Sequence, residues 1–161
     1  MRLALRADLD AIVALLVDAF EADPVFWNTF PDETAHRSDL AAWFSLNVRA
    51  DFEHGHTYVT SDLAAAAVWV PPDVTRVTDK LLAERRALLE QRIGQRAEAI
   101  IEQGARIGSH HPDEPNFYLA YVGVSPSQQG RGLGGIVSRP VLERCEADRL
   151  PSLLYSTNPR N

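Results

Sequence analysis

Val122-Gly123-Val124-Ser125-Pro126-Ser127-Gln128-Gln129-Gly130-Arg131-Gly132-Leu133-Gly134-Gly135 reads as the end of a strand, a glycine loop and the start of a helix. Upstream, Phe117-Tyr118-Leu119-Ala120-Tyr121-Val122 is rich in the aromatic and β-branched residues that suit a pleated, mostly buried strand, and Pro126 ends it near Ser125. Gly130, Gly132, Gly134 and Gly135 let the backbone approach a ligand closely and take positive φ without a Cβ penalty. Leu133, Ile136, Val137 and Val141 follow at helical spacing. The glycines therefore fall where a first helical turn leaves amides unpaired, which with the helix dipole makes a site for phosphate.

Glycine loops of this kind serve several chemistries. A nucleoside-triphosphate loop needs a lysine at its end, and the only lysine is Lys80, far from this one. A dinucleotide fingerprint is formally present as Gly130, Gly132 and Gly135, but an acid should follow about 20 residues later. Leu153-Leu154-Tyr155-Ser156 supplies none, and only 26 residues follow Gly135. A nicotinamide enzyme is thus the third choice, to be removed if the loop lies outside a parallel βαβ unit.

In this context Gln129-Gly130-Arg131-Gly132-Leu133-Gly134 resembles the Q/R-x-x-G-x-G/A loop of the GNAT-type N-acetyltransferases, which holds the pyrophosphate of acetyl-coenzyme A. Residues 118–126 resemble the fourth strand of that family, and residues 150–161 its fifth strand and the turn beyond. The resemblance implies an α/β (α+β) fold with a mixed, mostly antiparallel sheet splayed at the central strand and flanked by helices. It implies acetyl-CoA as co-substrate and an amine acceptor, either a small molecule or a protein. Backbone groups at Val122, Gly123 and Val124 would bind the pantetheine arm and thioester, at a bulge that frees an N–H. Residues Gln129, Gly130, Arg131, Gly132, Leu133, Gly134 and Gly135 would cradle the pyrophosphate, and Asn161 would contact the cofactor. Arg131 also reads as a solvated side chain.

Relatives continue past the asparagine that matches Asn161 with a tyrosine acid and two more strands, whereas this sequence stops there. The fifth strand would then need cover from further chain or from a second copy in a homodimer. A non-catalytic acyl-CoA-binding or dimerisation module is the alternative function. The catalytic acid and base are unassigned: Asn116 holds the strand-start position and cannot take a proton at neutral pH, leaving His56, Glu114, Tyr118 and Tyr121 as candidates by type.

Composition sets the outer limits. The 161 residues make one domain, with 45% apolar and 24% charged residues in ordinary globular proportion. A formal net charge of −6 argues against nucleic acid as partner and favours a cationic acceptor. With no apolar run of membrane-spanning length and no signal-peptide pattern, we expect a cytoplasmic protein without membrane partners. Cys145 has no disulfide partner and reads as packing. The pairs His54, His56 and His110, His111 lack a third ligand at zinc spacing, so no metal is expected.

The remaining elements follow from periodicity and turn chemistry. Leu3-Ala4-Leu5 reads as a strand, and Asp8 as the cap of a helix that buries Leu9, Ile12, Val13, Leu16 and Phe20. Asp23-Pro24 opens an aromatic loop to Asp32, in which Phe26, Trp27 and Phe30 either close a core or border the acceptor cleft, before a helix carrying Leu40, Trp43, Phe44 and Val48. Residues 56–60 and 64–70 read as a hairpin. From Thr78 to about Gly104 a helical face of Leu82, Leu89, Ile93, Ala97, Ile100 and Ile101 is interrupted at Gly94. Pro140 predicts a bend near Ile136 in the helix after the glycine loop.

Overall fold

The computed structural model describes residues 1–75 and 77–156. Five strands form one sheet in sequence order: β1 (Arg2–Leu3), β2 (Thr57–Val59), β3 (Ala65–Val70), β4 (Phe117–Val124) and β5 (Ser152–Leu153). The first three pairings are antiparallel and the last, β4 with β5, is parallel. The helices are α1 (Leu9–Phe20), α2 (Pro24–Thr29), α3 (His36–Phe52), α4 (Asp79–Ile93), α5 (Ala97–Gly108) and α6 (Leu133–Asp148).

Two cores lie on opposite faces of the sheet. On one face Ile12 and Leu16 of α1 and Leu40, Phe44 and Val48 of α3 pack on Val59, Ala66 and Val68, with Leu89 and Ala97 closing the outside. On the other, Val137, Val141 and Cys145 of α6 cover Ala65, Ala67, Trp69, Phe117 and Leu119. Strand β3 is buried along its whole length, so its alanine run is the small-residue floor of both helical layers, as its Ser61-Asp62 approach and β-rich end imply. Cys145 is a packing residue; burial pushes its thiol pKa up. Helix α6 runs unbroken through Pro140, which gives up only its own bond to the Ile136 carbonyl.

Several local expectations need correction. Asp8 does not cap α1. Its carboxylate turns back to accept from the Leu5 N–H at 2.7 Å and from Arg2 at 2.6 and 3.0 Å, a stronger, charge-assisted arrangement that ties β1 to the helix entry. The aromatic loop is the short helix α2: Pro24 occupies its first turn, where no N–H is needed, and Asp23 caps Val25 at 2.8 Å. Leu82 is exposed and Leu81 takes the buried position, a rotation of one residue in the start of α4. Strand β1 is Arg2–Leu3, not 3–5, and β5 is only Ser152–Leu153.

Gly94 does break the long helical stretch, at φ +54°, and a short 3-10 turn then leads into α5. The aromatics of α2 mostly close a core. Phe30 is fully buried against Trp43, and Phe26 packs between Phe20 and Phe44. Trp27 stacks flat on His36, 3.9 Å between ring centres. The His36 ring nitrogens in turn lie 2.7 Å from the Phe30 carbonyl and 3.0 Å from the Glu21 carbonyl, pinning α1, α2 and α3 together.

Candidate active site

The site is built on an irregularity in β4. Ala65 to Val68 pair in step with Val124, Gly123, Val122 and Tyr121, but Trp69 then pairs with Leu119, so Ala120 is an extra residue. A bulge of this kind reverses the alternation of side chains. Phe117 and Leu119 face α6 before it, and Val122 and Val124 face α6 after it, while Tyr121 turns to the α1 and α3 face.

Main-chain direction follows from one hydrogen bond. Ser125 N–H donates to the Ala64 carbonyl at 2.8 Å, which makes Ala65 and Val124 a non-hydrogen-bonded pair. Gly123 and Tyr121 therefore direct their amides to β3, and Val122 and Val124 direct theirs to the opposite edge. On that edge β5 reaches only Phe117 and Tyr118. Among the described residues no strand pairs with β4 on that edge beyond Tyr118, and the amides of Val122 and Val124 are turned toward it. The side-chain amide of Gln129 donates to the Val124 carbonyl at 3.3 Å and marks the far end of the strand.

A 3-10 turn at Pro126–Gln128 carries the chain from β4 to the glycine loop. Gly130 and Gly132 have φ of +76° and +75°, where a side chain would be strained. Gly132 is the N-cap of α6 and offers no side-chain cap, and the first turn holds no acid; α2 and α4, by contrast, are capped by Asp23 and Thr78. Gly130, Arg131, Gly132 and Gly135 are exposed. A Cβ on Gly134 would meet Val122 and Val124 at 3.6 and 3.8 Å, so the helix start is seated against this part of β4. The uncapped turn, the loop and the two strand amides thus form one continuous strip of donors.

Across the sheet, Tyr121 packs edge-on to Phe44, 5.3 Å between centres. Its hydroxyl is held well above the ordinary tyrosine pKa by burial first, then by the charge of Asp51, against the opposing pull of Arg85 and a hydrogen bond with Trp43. Tyr121 is therefore a neutral hydroxyl at physiological pH, not a base. Nearby Tyr118 makes an aromatic triad with His111 and Tyr155, with ring centres 5.5 to 6.4 Å apart.

The other candidates by type separate from this region. His56 sits at the opposite end of β4, its ring edge-on to Phe117 at 5.3 Å, and burial and Arg144 push its pKa down. Glu114 is exposed in the loop before β4, its carbonyl accepting from the buried Asn116 side chain at 2.8 Å. Asn161 lies outside the described residues. Among the described residues no group of three metal-ligating side chains converges. A concavity of about 540 Å³ between α3 and α4, lined by Ser45, Arg49, Lys80 and Glu84, shares no residue with this region.

One expectation about context is reversed. The glycine loop does lie inside a parallel βαβ unit, β4-α6-β5, so that criterion does not remove a dinucleotide enzyme. What argues against it is the absence of a carboxylate at residues 154–156 and the antiparallel remainder of the sheet.

A solved structure from Corynebacterium glutamicum, described as "histone acetyltransferase HPA2 and related acetyltransferase", superposes over 89% of this chain and 70% of that one. The TM-score is 0.63 and the identity 23%. This chain shares the fold of that acetyltransferase. An uncharacterised N-acetyltransferase of Schizosaccharomyces pombe is 26% identical over 169 positions, covering 96% of this chain and 67% of the yeast protein. A second solved acetyltransferase superposes with a TM-score of 0.42 at 18% identity, over 92% of this chain and 75% of that one. No family model matches. Among the described residues, no helix is long and apolar enough to cross a membrane.

Proposed function

We propose that this chain is an N-acetyltransferase that moves the acetyl group of acetyl-CoA to an amine in the cytoplasm. The observation that carries the reading is the outer edge of β4, where the Val122 and Val124 amides turn away from β3 and the uncapped turn of α6 is seated beside them at Gly134. Acetyl-CoA has complementary groups in that order: a thioester and pantetheine amides that accept from strand N–H groups, then a pyrophosphate. In this reading residues 129–135 cradle the pyrophosphate with backbone donors and the positive end of the helix dipole. Gly123 lies between the two outward-turned amides, and Arg131 steers the anion from the exposed loop.

The chemistry asks little of side chains. A neutral amine adds to the thioester carbon; the carbonyl oxygen gathers negative charge and is stabilised by a strand amide, then the C–S bond breaks. The amine gives up a proton and the thiolate takes one, so the step is balanced without a metal or redox group. The acceptor reaches the thioester from the face of Tyr118 and Tyr121.

The test is a calorimetric titration of acetyl-CoA, followed by an assay of coenzyme A release with a panel of amines. Micromolar binding and amine-dependent thiol release are expected. A folded sample that binds no acetyl-CoA would sink the proposal, and one that binds it without turnover on any amine would favour a binding module.

A further inference from the structure

Helix α4 carries four cations, and three have carboxylate partners: Lys80 with Glu84 at 3.8 Å, Arg86 with Glu98 at 2.5 Å and Arg92 with Asp39 at 3.2 Å. Arg85 stands outside the ion pairs of the described residues. Its Nε instead donates to the Oδ1 of Asn47 at 2.6 Å, and its guanidinium lies over the Trp43 ring, 5.8 Å from the centre. Asn47 is completely buried within α3, and its own amide group donates to the Trp43 carbonyl at 2.8 Å. A polar residue in a helix interior is unfavourable unless its groups are satisfied. Here the satisfied arrangement fixes one guanidinium edge through Nε.

That leaves the Nη edge of a half-buried guanidinium, oriented from behind by an amide and from below by an aromatic face. Such a fork matches the two oxygens of a carboxylate. Its position connects it with the reaction. Arg85 covers Trp43, the next residue of α3, Phe44, packs edge-on to Tyr121 at 5.3 Å, and Tyr121 follows the bulge at Ala120.

We infer that Arg85 is the specificity-determining residue for the acceptor, and that the acceptor is an amine that also carries a carboxylate. This inference rests on the acetyltransferase reading and narrows its substrate class. It differs from the preference for a cationic acceptor drawn from the overall charge of −6. A net charge acts at long range on encounter, whereas recognition at contact follows the local fork.

The test uses product analogues, so that it does not depend on turnover. N-acetylglycine and N-acetylglycinamide, and the corresponding pair made from phenylalanine, are titrated into the protein with and without coenzyme A. The wild-type chain is expected to bind at least one acid about tenfold more tightly than its amide, the worth of a charge-assisted hydrogen-bonded pair. In Arg85→Gln the ratio should fall near one while acetyl-CoA affinity stays unchanged. Arg85→Lys, which keeps the charge and the stem over Trp43 but not the fork, should retain only part of the preference; it serves as the readout if Arg85→Gln fails to fold. No binding of either acid at millimolar concentration, equal binding of acid and amide, or a preference that survives both substitutions would overturn the inference. Failure of acetyl-CoA to bind the wild-type chain would instead overturn the proposed reaction, leaving the acid-to-amide ratio as a separate result.

Discussion

Gly123 of β4 and Leu16 of α1 compete for the same volume: a Cβ on Gly123 would stand 2.7 Å from Leu16 Cδ2. It would also stand 3.3 Å from the Cβ of Ala19. Leu16 is fully buried, so α1 can sit this close to the strand because position 123 has no side chain. Gly123 is therefore explained first by packing, beside its proposed place in the cofactor site.

Gly123→Ala is expected to destabilise the fold by roughly 1–3 kcal/mol through overpacking. The double variant Gly123→Ala/Leu16→Ala should be more stable than the sum of the single changes predicts, because the smaller side chain vacates the contested volume. Denaturant unfolding of the four proteins checks this, and strict additivity would mean that the two positions do not share space.

The four amides from Tyr121 to Val124 should behave as two pairs. Tyr121 and Gly123 bond β3 and are expected to exchange slowly with solvent deuterium, whereas Val122 and Val124 face the outer edge and should exchange faster. Saturating acetyl-CoA should slow Val122 and Val124 selectively. Residue-resolved exchange by NMR would decide it, and uniform protection of all four amides without ligand would remove the open edge.

Asp8 gives a prediction about acid stability. The Arg2 guanidinium, and after it the Leu5 N–H, hold its carboxyl pKa at about 2, below the ordinary aspartate value. A carboxylate with a depressed folded-state pKa contributes stability above the unfolded-state value of about 3.9, and that contribution is lost as pH falls through the folded value. The difference in stability between wild type and Asp8→Asn should therefore be constant from pH 7 to pH 5 and shrink between about pH 4 and pH 2. Urea unfolding across that range tests it; a constant difference down to pH 2 would mean that the Arg2 to Asp8 pair is not linked to folding.

How much of this could be read without coordinates varies with the range of the forces involved. The glycine loop, the hairpin at 56–70 and the Gly94 break were legible because turn chemistry and hydrophobic period are local properties. Asp8 was misread because the same residue serves as a helix cap or as the partner of an arginine six positions back, and only the fold of β1 brings Arg2 within 2.6 Å. Arg85 and Asn47 were missed altogether. They lie 38 positions apart, on different helices, and each alone looks like an ordinary helix residue.

By itself, then, the amino-acid order determined that a buried strand runs into a loop of glycines and on into a helix, since φ preferences and side-chain periodicity act within a few residues. The tertiary structure alone decided that Ala120 is the bulge, that β5 joins β4 in parallel at Phe117 and Tyr118, and that Arg85 is held by Asn47 above Trp43. Those features depend on register and packing between distant segments, where a shift of one residue reverses which side chains and amides face the site.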